Sequence, residues 1–220
     1  MTRAAIVLRP EPGNARTIAR LAALGVPALA LPLFAVEPVA WETPGGAFDS
    51  LLITSTNAMR HAGAGLTALG HLPVIAVGEE SANAARAVGL TVAVTGTTDG
   101  VAALDAARAA GFRAPLHLAG QEHIAFADVV SITVYRSAPL DLAAGALAAA
   151  RGWVALLHSP RAARRFAELV DRDAVPRETI RLAALSEKIA AAAGAGWDAI
   201  ASTPRPDDAL LVALAASLAS

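Results

Sequence analysis

The one tyrosine of this 220-residue chain, Tyr135, lies in the segment SITVYRSAP, which spans residues 131–139. A tyrosine phenol carries its proton at neutral pH, and a positioned phenol can donate that proton to a departing group. Tyrosine also suits the half-buried face of a β-strand, so a purely structural role is the alternative. The extended pattern around it therefore predicts a strand that holds one candidate catalytic residue.

Short polar runs form a second group of candidates, and each run follows an apolar segment and precedes a helical pattern. Small polar side chains at such positions cap helices, and the backbone N–H groups exposed at a helix start favour carboxylates. Any one of these side chains could be a cap and nothing more. We predict that the runs line a ligand site, and their residues are Ser55, Thr56, Asn57, Gly78, Glu79, Ser159, Pro160, Arg161 and Ser186.

Two cations join these candidates. Arg9 follows the first apolar run, and Lys188, the only lysine of the chain, stands at a predicted helix start. A cation at a helix start is electrostatically unfavourable. A bound carboxylate would offset this cost, and so would Glu187 or water. We therefore predict Arg9 and Lys188 as ligand-binding residues.

Several kinds of site are excluded by residue type and spacing. The chain has no cysteine, which excludes disulfides, thiolate catalysis and thiolate–metal sites. His117, Glu122 and His123 lack a recognised metal-ligand spacing, and no GxGxxG motif for a dinucleotide is present. His158 adjoins Ser159, but neighbours on a strand point to opposite faces and form no nucleophile–base pair. These residues therefore predict no metal site and no dinucleotide site.

Charge and hydropathy bear on partners and location. The formal net charge of −1 provides no global attraction for nucleic acid or for an anionic membrane. The longest apolar stretch, residues 21–36, is interrupted by glycine and proline and is too short to span a bilayer. Pro10 comes too early for a signal peptide. We therefore expect a soluble, cytoplasmic protein without nucleic-acid or membrane partners, and we assume that it is a monomer.

An internal repeat organises the chain. Residues 48–66 align with 152–169, residues 72–90 with 180–197, and residues 91–111 with 198–218. Every copy consists of a continuous apolar run, a polar turn and a helical pattern, which is typical of parallel strands covered on both faces. The repeat predicts an α/β fold with two flavodoxin-like parallel-sheet domains.

The N-terminal strand–helix–strand pattern completes the shorter second copy. We therefore expect a discontinuous domain of residues 1–32 plus 139–220 and an inserted domain of residues 42–130. Residues 33–41 and 131–138 would then cross between the domains as a two-stranded antiparallel linker. Tyr135 would lie in this linker.

The motifs, taken in order, resemble those of the uroporphyrinogen-III synthase family. They are spread over nearly the whole chain, and the fold of that family is two α/β domains joined by a two-stranded linker. The matching segments are RPEPGNA, LPLFAVEPV, LLITSTNA, VIAVGEESANAARAVG, VYRSAP, LLHSPRAARRF, AALSEKIAAAA and RPDDALL.

The resemblance implies a cofactor-free lyase of tetrapyrrole and haem biosynthesis. Hydroxymethylbilane, a linear tetrapyrrole with eight carboxylates, would lose water and close to uroporphyrinogen III with ring D inverted. Tyr135 would protonate the departing hydroxyl, and the polar runs with Arg9 and Lys188 would hold the substrate. A transient hand-over of substrate from hydroxymethylbilane synthase is a further implied contact.

Two departures from the family pattern keep other functions open. The family usually has small hydroxyl residues where this chain has Lys188 and Ile189, and often a threonine in place of Leu8. One alternative is a non-catalytic two-lobed protein of the same fold that binds a tetrapyrrole or another anion. Another is a family member without activity. Arg161, Arg164 and Arg165 are expected to form a solvated helix face, and of these only Arg161 is close enough to the predicted site to meet the ligand.

Overall fold

Two β-sheets, one in each of two units, organise the chain. The computed structural model describes residues 2–220, except for the side chain of Ala149. Unit 1 consists of Met1–Ala35 and Pro139–Ser220, and unit 2 consists of Val36–Ala138. Met1, with which the predicted discontinuous domain begins, lies outside the described residues.

The helices and strands alternate along most of the chain. The strands are β1 (Ala5–Val7), β2 (Ala28–Ala30), β3 (Phe34–Pro38), β4 (Ser50–Ile53), β5 (Val74–Val77), β6 (Val92–Gly96), β7 (Pro115–Gly120), β8 (Val130–Pro139), β9 (Val154–Leu157), β10 (Arg181–Ala184) and β11 (Ala199–Ser202). The helices are α1 (Gly13–Ala23), α2 (Thr56–His61), α3 (Leu66–Leu69), α4 (Glu79–Ala87), α5 (Gly100–Ala109), α6 (Pro160–Arg172), α7 (Glu187–Ala192) and α8 (Asp208–Ala219).

The sheet of unit 1 is parallel and has the order β11-β10-β9-β1-β2. Numbered within the unit, this is the flavodoxin-like order 2-1-3-4-5. The N-terminal strand β1 lies between β2 and β9, with Val7 opposite Leu156. The N-terminal residues of the chain therefore form an internal strand of this sheet.

The sheet of unit 2 has the order β3-β8-β7-β4-β5-β6, and β4 to β8 are mutually parallel. Numbered within the unit, these five strands have the order 3-2-1-4-5, which differs from the predicted flavodoxin-like order. The first of these five strands, β4, lies at the centre. Strands β5 and β6 extend the sheet on one side, and β7 and β8 then extend it on the other. Four of these strands, β4 to β7, are short and largely apolar, so their sequences do not specify which neighbours they pair with.

The strands β3 and β8 run antiparallel. The N–H of Leu140 donates to the carbonyl of Leu33 at 2.9 Å, and the N–H of Val39 donates to the carbonyl of Val134 at 3.0 Å. Residue numbers therefore rise on one strand as they fall on the other. The second edge of β8 pairs in parallel with β7, so the predicted linker segment 131–138 is also a strand of the unit 2 sheet.

Polar side chains set the starts of five helices. In each case a Ser or Asp side chain accepts a hydrogen bond from a backbone N–H of the first turn, and α6 also has proline at its first position. These groups satisfy N–H donors that have no partner within the helix. The capping residues are Ser55, Asp99, Ser159, Ser186 and Asp207.

Alternate residues of the central strands enter different cores. In β1, Ile6 packs in the cluster that contains Phe166, whereas Val7 packs in the cluster that contains Leu211. Burial of both faces explains the continuous apolar runs. Within residues 2–220, no helix combines the length and apolarity needed to cross a membrane.

Gly96 allows helix α5 to approach strand β6 closely. A Cβ at position 96 would lie 2.6 Å from the Cβ of Ala103 and 3.0 Å from its Cα. We expect Gly96→Ala to lower the free energy of unfolding by about 1–3 kcal/mol, because the backbone of α5 must shift. Gly45→Ala is the matched control, since a Cβ there meets nothing within 4 Å. Urea denaturation of both variants tests this, and a Gly96→Ala protein as stable as the wild type would contradict it.

Candidate functional site

Asp208, the first residue of α8, is the centre of a hydrogen-bond network at the carboxyl edge of the unit 1 sheet. Its Oδ1 accepts from Arg9 Nη1 at 3.1 Å, from Thr17 Oγ1 at 3.0 Å and from His158 Nε2 at 2.8 Å. Its Oδ2 forms an ion pair with Arg20. The Asp208 side chain is 16% exposed. The largely buried carboxylate of Asp208 thus connects Arg9, which follows β1, with residues of α1 and with His158, which follows β9.

The network keeps Asp208 ionised and His158 neutral. Burial by itself raises the pKa of Asp208, but the hydrogen bonds from His158 and Thr17 outweigh it and hold that pKa well below its usual value. Burial lowers the pKa of His158, although the hydrogen bond to Asp208 opposes this effect. At neutral pH the negative charge is therefore on Asp208, and the neutral imidazole donates to it.

The predicted ligand residue Arg9 is a member of this network. Its guanidinium lies on Gly13, where a Cβ would come within 2.3 Å of Nε, and its Nη1 is bonded to Asp208. Arg9 thus has a partner inside unit 1 that is 199 positions away in the sequence. No local signal in the sequence indicated this pairing.

The other predicted ligand residues of unit 1 lie at the starts of α6 and α7. Strands β9 and β10 are neighbours with Leu157 opposite Ala184, so Ser159 and Ser186 follow adjacent strand ends. Both serines are caps, at 3.1 Å and 3.4 Å from the N–H groups that they accept from. After Pro160, Arg161 lies over the ring of Phe34, with its Cζ 4.4 Å from the ring centroid. Lys188 is exposed beside the exposed Glu187.

In unit 2, the predicted ligand residues lie at the starts of α2 and α4. Strands β4 and β5 are neighbours with Ile53 opposite Ala76, so the two helix starts share one edge of the sheet. Ser55 caps α2, and Arg60 donates to Thr56 Oγ1 at 3.1 Å and to Asn57 Oδ1 at 3.3 Å. Before α4, Gly78 has φ 80°, which favours glycine. The exposed Glu79 pairs with Arg86 at 2.7 Å.

Tyr135 lies at the same edge of the unit 2 sheet, above the last residue of β7. It is opposite Gly120, where a Cβ would be 2.6 Å from Tyr135 Cζ and 2.8 Å from the phenol oxygen. Only a glycine at position 120 leaves room for the ring in this position. His61 of α2 flanks the ring at a centroid distance of 6.3 Å, and burial, with Arg60 close by, lowers the pKa of His61. Tyr135 itself is half-buried.

Sequence reasoning missed Gly120 and His61 as neighbours of Tyr135. The contact with Gly120 depends on the pairing of β7 with β8, and the contact with His61 depends on the position of α2 over the sheet. Neither residue belongs to a motif that predicts such a role. A register of the two strands would have been needed to find Gly120.

His117 forms a separate buried cluster in unit 2. Its Nε2 is 3.0 Å from Thr54 Oγ1 and its Nδ1 is 3.1 Å from Ser131 Oγ. Burial, and to a lesser extent His123, lowers the pKa of His117 to about 4. Over residues 2–220, no group of three or more His, Cys, Asp or Glu residues is arranged to hold a metal ion. The two hydroxyl groups instead satisfy a neutral imidazole.

Comparison with known proteins identifies a family model and two similar folds. The model described as Uroporphyrinogen-III synthase HemD matches residues 15–213. The uroporphyrinogen-III synthetase of Helicobacter pylori has a TM-score of 0.69 at 16% identity, with 98% of this chain and 99% of that chain covered. A mutant uroporphyrinogen III synthase of the extremely thermophilic bacterium Thermus thermophilus has a TM-score of 0.51 at 16% identity, with 98% of each chain covered. No match was found among curated protein sequences. The predicted α/β fold class with two parallel sheets is confirmed.

The lowered pKa of His117 predicts loss of stability in acid. As the pH falls from the ordinary pKa of 6.5 towards 4, the unfolded state binds a proton that folded His117 does not bind, so unfolding is favoured. The pKa difference corresponds to up to about 3 kcal/mol. We expect His117→Asn to flatten the dependence of the unfolding free energy on pH in this range, measured by urea denaturation.

Exposed His71 provides the control for this measurement, because His71→Asn removes a histidine without disturbing the cluster. The wild type and His71→Asn should lose stability in parallel between pH 7 and pH 4, with only His117→Asn deviating. Equal slopes for all three proteins would contradict the prediction.

Proposed function

We propose that this chain, which belongs to the uroporphyrinogen-III synthase family, cyclises hydroxymethylbilane to uroporphyrinogen III. The observation that carries this proposal is the family match over residues 15–213. The predicted resemblance to the family is thereby confirmed, and the reaction is inferred from it. The protein would act as a cyclising lyase in tetrapyrrole biosynthesis.

The reaction demands control of geometry more than strong chemical activation. Loss of the hydroxyl group leaves an azafulvene on ring A, and ring D attacks it at its substituted position. The resulting spiro intermediate rearranges, so that ring D is inverted in the product and water is lost overall. In water the bilane closes without inversion to the type I isomer. An enzyme for this reaction must therefore hold one conformation and assist departure of the hydroxyl.

Tyr135 is the residue that we propose as the proton donor. Its ring is held between Gly120 and His61, which limits the directions in which the phenol can point. It is half-buried and lies at the carboxyl edge of a parallel sheet, where ligands of α/β proteins bind. A placed and partly accessible phenol supports donation of the proton to the departing hydroxide.

The helix-capping serines can bind carboxylates without giving up their caps. Ser159 uses its oxygen to accept from the N–H of Ala162, which leaves the hydroxyl hydrogen able to donate to a ligand. The same holds for Ser55 and Ser186. We propose that these hydroxyls, the backbone around Gly78 and the exposed Lys188 hold the acidic arms of the substrate.

The proposed activity is tested with hydroxymethylbilane that hydroxymethylbilane synthase generates immediately before use. The products are oxidised and the porphyrin isomers are separated by chromatography. We expect type III with the protein present and type I without it. If only type I forms in both reactions, the chain is either a binding protein of this fold or an inactive family member.

Tyr135→Phe separates a proton donor from a structural tyrosine. The ring and its contact with Gly120 remain, so we expect an unchanged melting temperature. The rate of type III formation should fall by about 10²-fold, the low end for positioned proton transfer, because the bilane also ionises unaided in water. Type I should accumulate instead. Turnover at the wild-type rate in a folded Tyr135→Phe protein would assign Tyr135 a structural role.

Ser159→Ala and Asp99→Ala together separate capping from ligand binding. Both side chains cap a helix, so each variant should lose about 1 kcal/mol of stability. Only Ser159 is a proposed substrate ligand, and we expect a raised KM with little change in kcat for that variant alone. Equal steady-state kinetics in the two variants would reduce Ser159 to a cap.

A further inference from the structure

Three arginines of helix α6 line one pocket of unit 1. The pocket has a volume of about 240 Å³, which is below the roughly 300 Å³ at which sites for whole small molecules begin. It therefore suits one side arm of a larger ligand. Its lining residues are Phe34, Pro139, Arg161, Arg164, Arg165 and Glu168.

The spacing of the arginines concentrates positive charge on one face of the helix. Residues three and four positions apart are neighbours on a helix surface, and like charges at that spacing repel each other. The lining of the pocket contains three arginines and one acidic residue, Glu168. The chain as a whole carries a net charge of −1, so this concentration is local. An anion in the pocket would relieve the repulsion.

Phe34 and the backbone hold two of these guanidinium groups in place. The Cζ atoms of Arg161 and Arg165 lie 4.4 Å and 5.9 Å from the centroid of the Phe34 ring, within the range of cation–π contacts. Arg165 also donates through Nη2 to the carbonyl of Leu140, while its Nε is buried without a hydrogen-bond partner. Positioned planar donors of this kind match a carboxylate.

The internal repeat shows how unit 2 differs at the same positions. Ser55 aligns with Ser159, so Arg60 of α2 corresponds to Arg164 of α6. Arg60 donates to the side chains of Thr56 and Asn57. Their counterparts in α6 are Pro160 and Arg161, neither of which has a side-chain acceptor. Arg164 of α6 therefore lacks the two side-chain acceptors that bind Arg60 in α2, because a proline and an arginine stand at their positions.

We propose that this arginine pocket binds a carboxylate arm of the tetrapyrrole. The inference rests on the proposed function, which supplies a ligand with eight such arms. The carboxylate would bond to Arg164 and Arg165, and the apolar surfaces of Phe34 and Pro139 would contact the methylene groups of the arm. The arginine pocket thereby raises affinity for an acidic tetrapyrrole without taking part in bond making.

The test measures binding of uroporphyrin III, the stable oxidised form of the product, which carries the same eight arms. Fluorescence titration at low and high salt compares the wild type with an Arg164→Gln/Arg165→Gln double variant. We expect about tenfold weaker binding in the double variant, as for the loss of charge-assisted hydrogen bonds, and a smaller effect of salt. In turnover, KM should rise while kcat stays the same.

Two further variants guard against indirect effects. Arg165 bonds to the Leu140 carbonyl, so Arg164→Gln alone, at an exposed position, is measured as well and should weaken binding by a smaller factor in the same direction. Arg108→Gln removes an exposed cation of α5, which pairs with Asp105, and should bind uroporphyrin III as the wild type does.

The outcomes distinguish this inference from the proposed function. Equal binding by the wild type and both pocket variants overturns the inference, whereas formation of type III product by the wild type still decides the proposed function. The alternative ligand is a free polycarboxylate, and a citrate titration followed by thermal shift tests for it. If the wild type binds citrate through Arg164 and Arg165 but binds no porphyrin, the pocket belongs to a free polycarboxylate and the proposal of a tetrapyrrole arm is overturned.

Discussion

The carboxylate of Asp208 forms hydrogen bonds and ion pairs with parts of unit 1 that lie far apart in the sequence. It accepts hydrogen bonds from Arg9 and Thr17, near the N-terminus, and from His158 in the second repeat. A poorly solvated charge of this kind is tolerated only with its partners in place, and loss of one partner leaves it uncompensated. The network therefore joins the N-terminal strand–helix–strand segment to the repeat that it completes, alongside the backbone pairing of β1 with β2 and β9.

Unit 2 positions its polar groups by packing instead of by a central charge. Tyr135 is held where it is because Gly120 lacks a side chain and because β7 and β8 pair in one register. Burial keeps His117 neutral by lowering its pKa, and its ring is bonded to two hydroxyl groups. Steric fit and strand register thereby place the phenol at the edge of the sheet.

Anion binding in this chain has to be local, since the formal net charge is −1. Helix starts supply backbone and hydroxyl donors at the carboxyl edges of both sheets. The arginine pocket adds charge at one point of α6, where two of its three cations lie over the ring of Phe34. Arg9, by contrast, is already neutralised by Asp208. Whether an arginine is available to a ligand thus depends on its partners within the fold.

Features that arise from neighbouring residues could be predicted from the amino-acid sequence. Apolar runs and polar turns predicted the two parallel sheets, Ser55, Ser159 and Ser186 marked helix starts, and ordered motifs indicated the family. These signals are readable because capping and hydrophobic periodicity act within a few residues. The fold was needed to show three further features: the strand order of unit 2, the ion pair of Arg9 with Asp208 and the place of Tyr135 over Gly120. Each of these depends on which strands and helices become neighbours, and apolar runs of similar composition do not specify that choice.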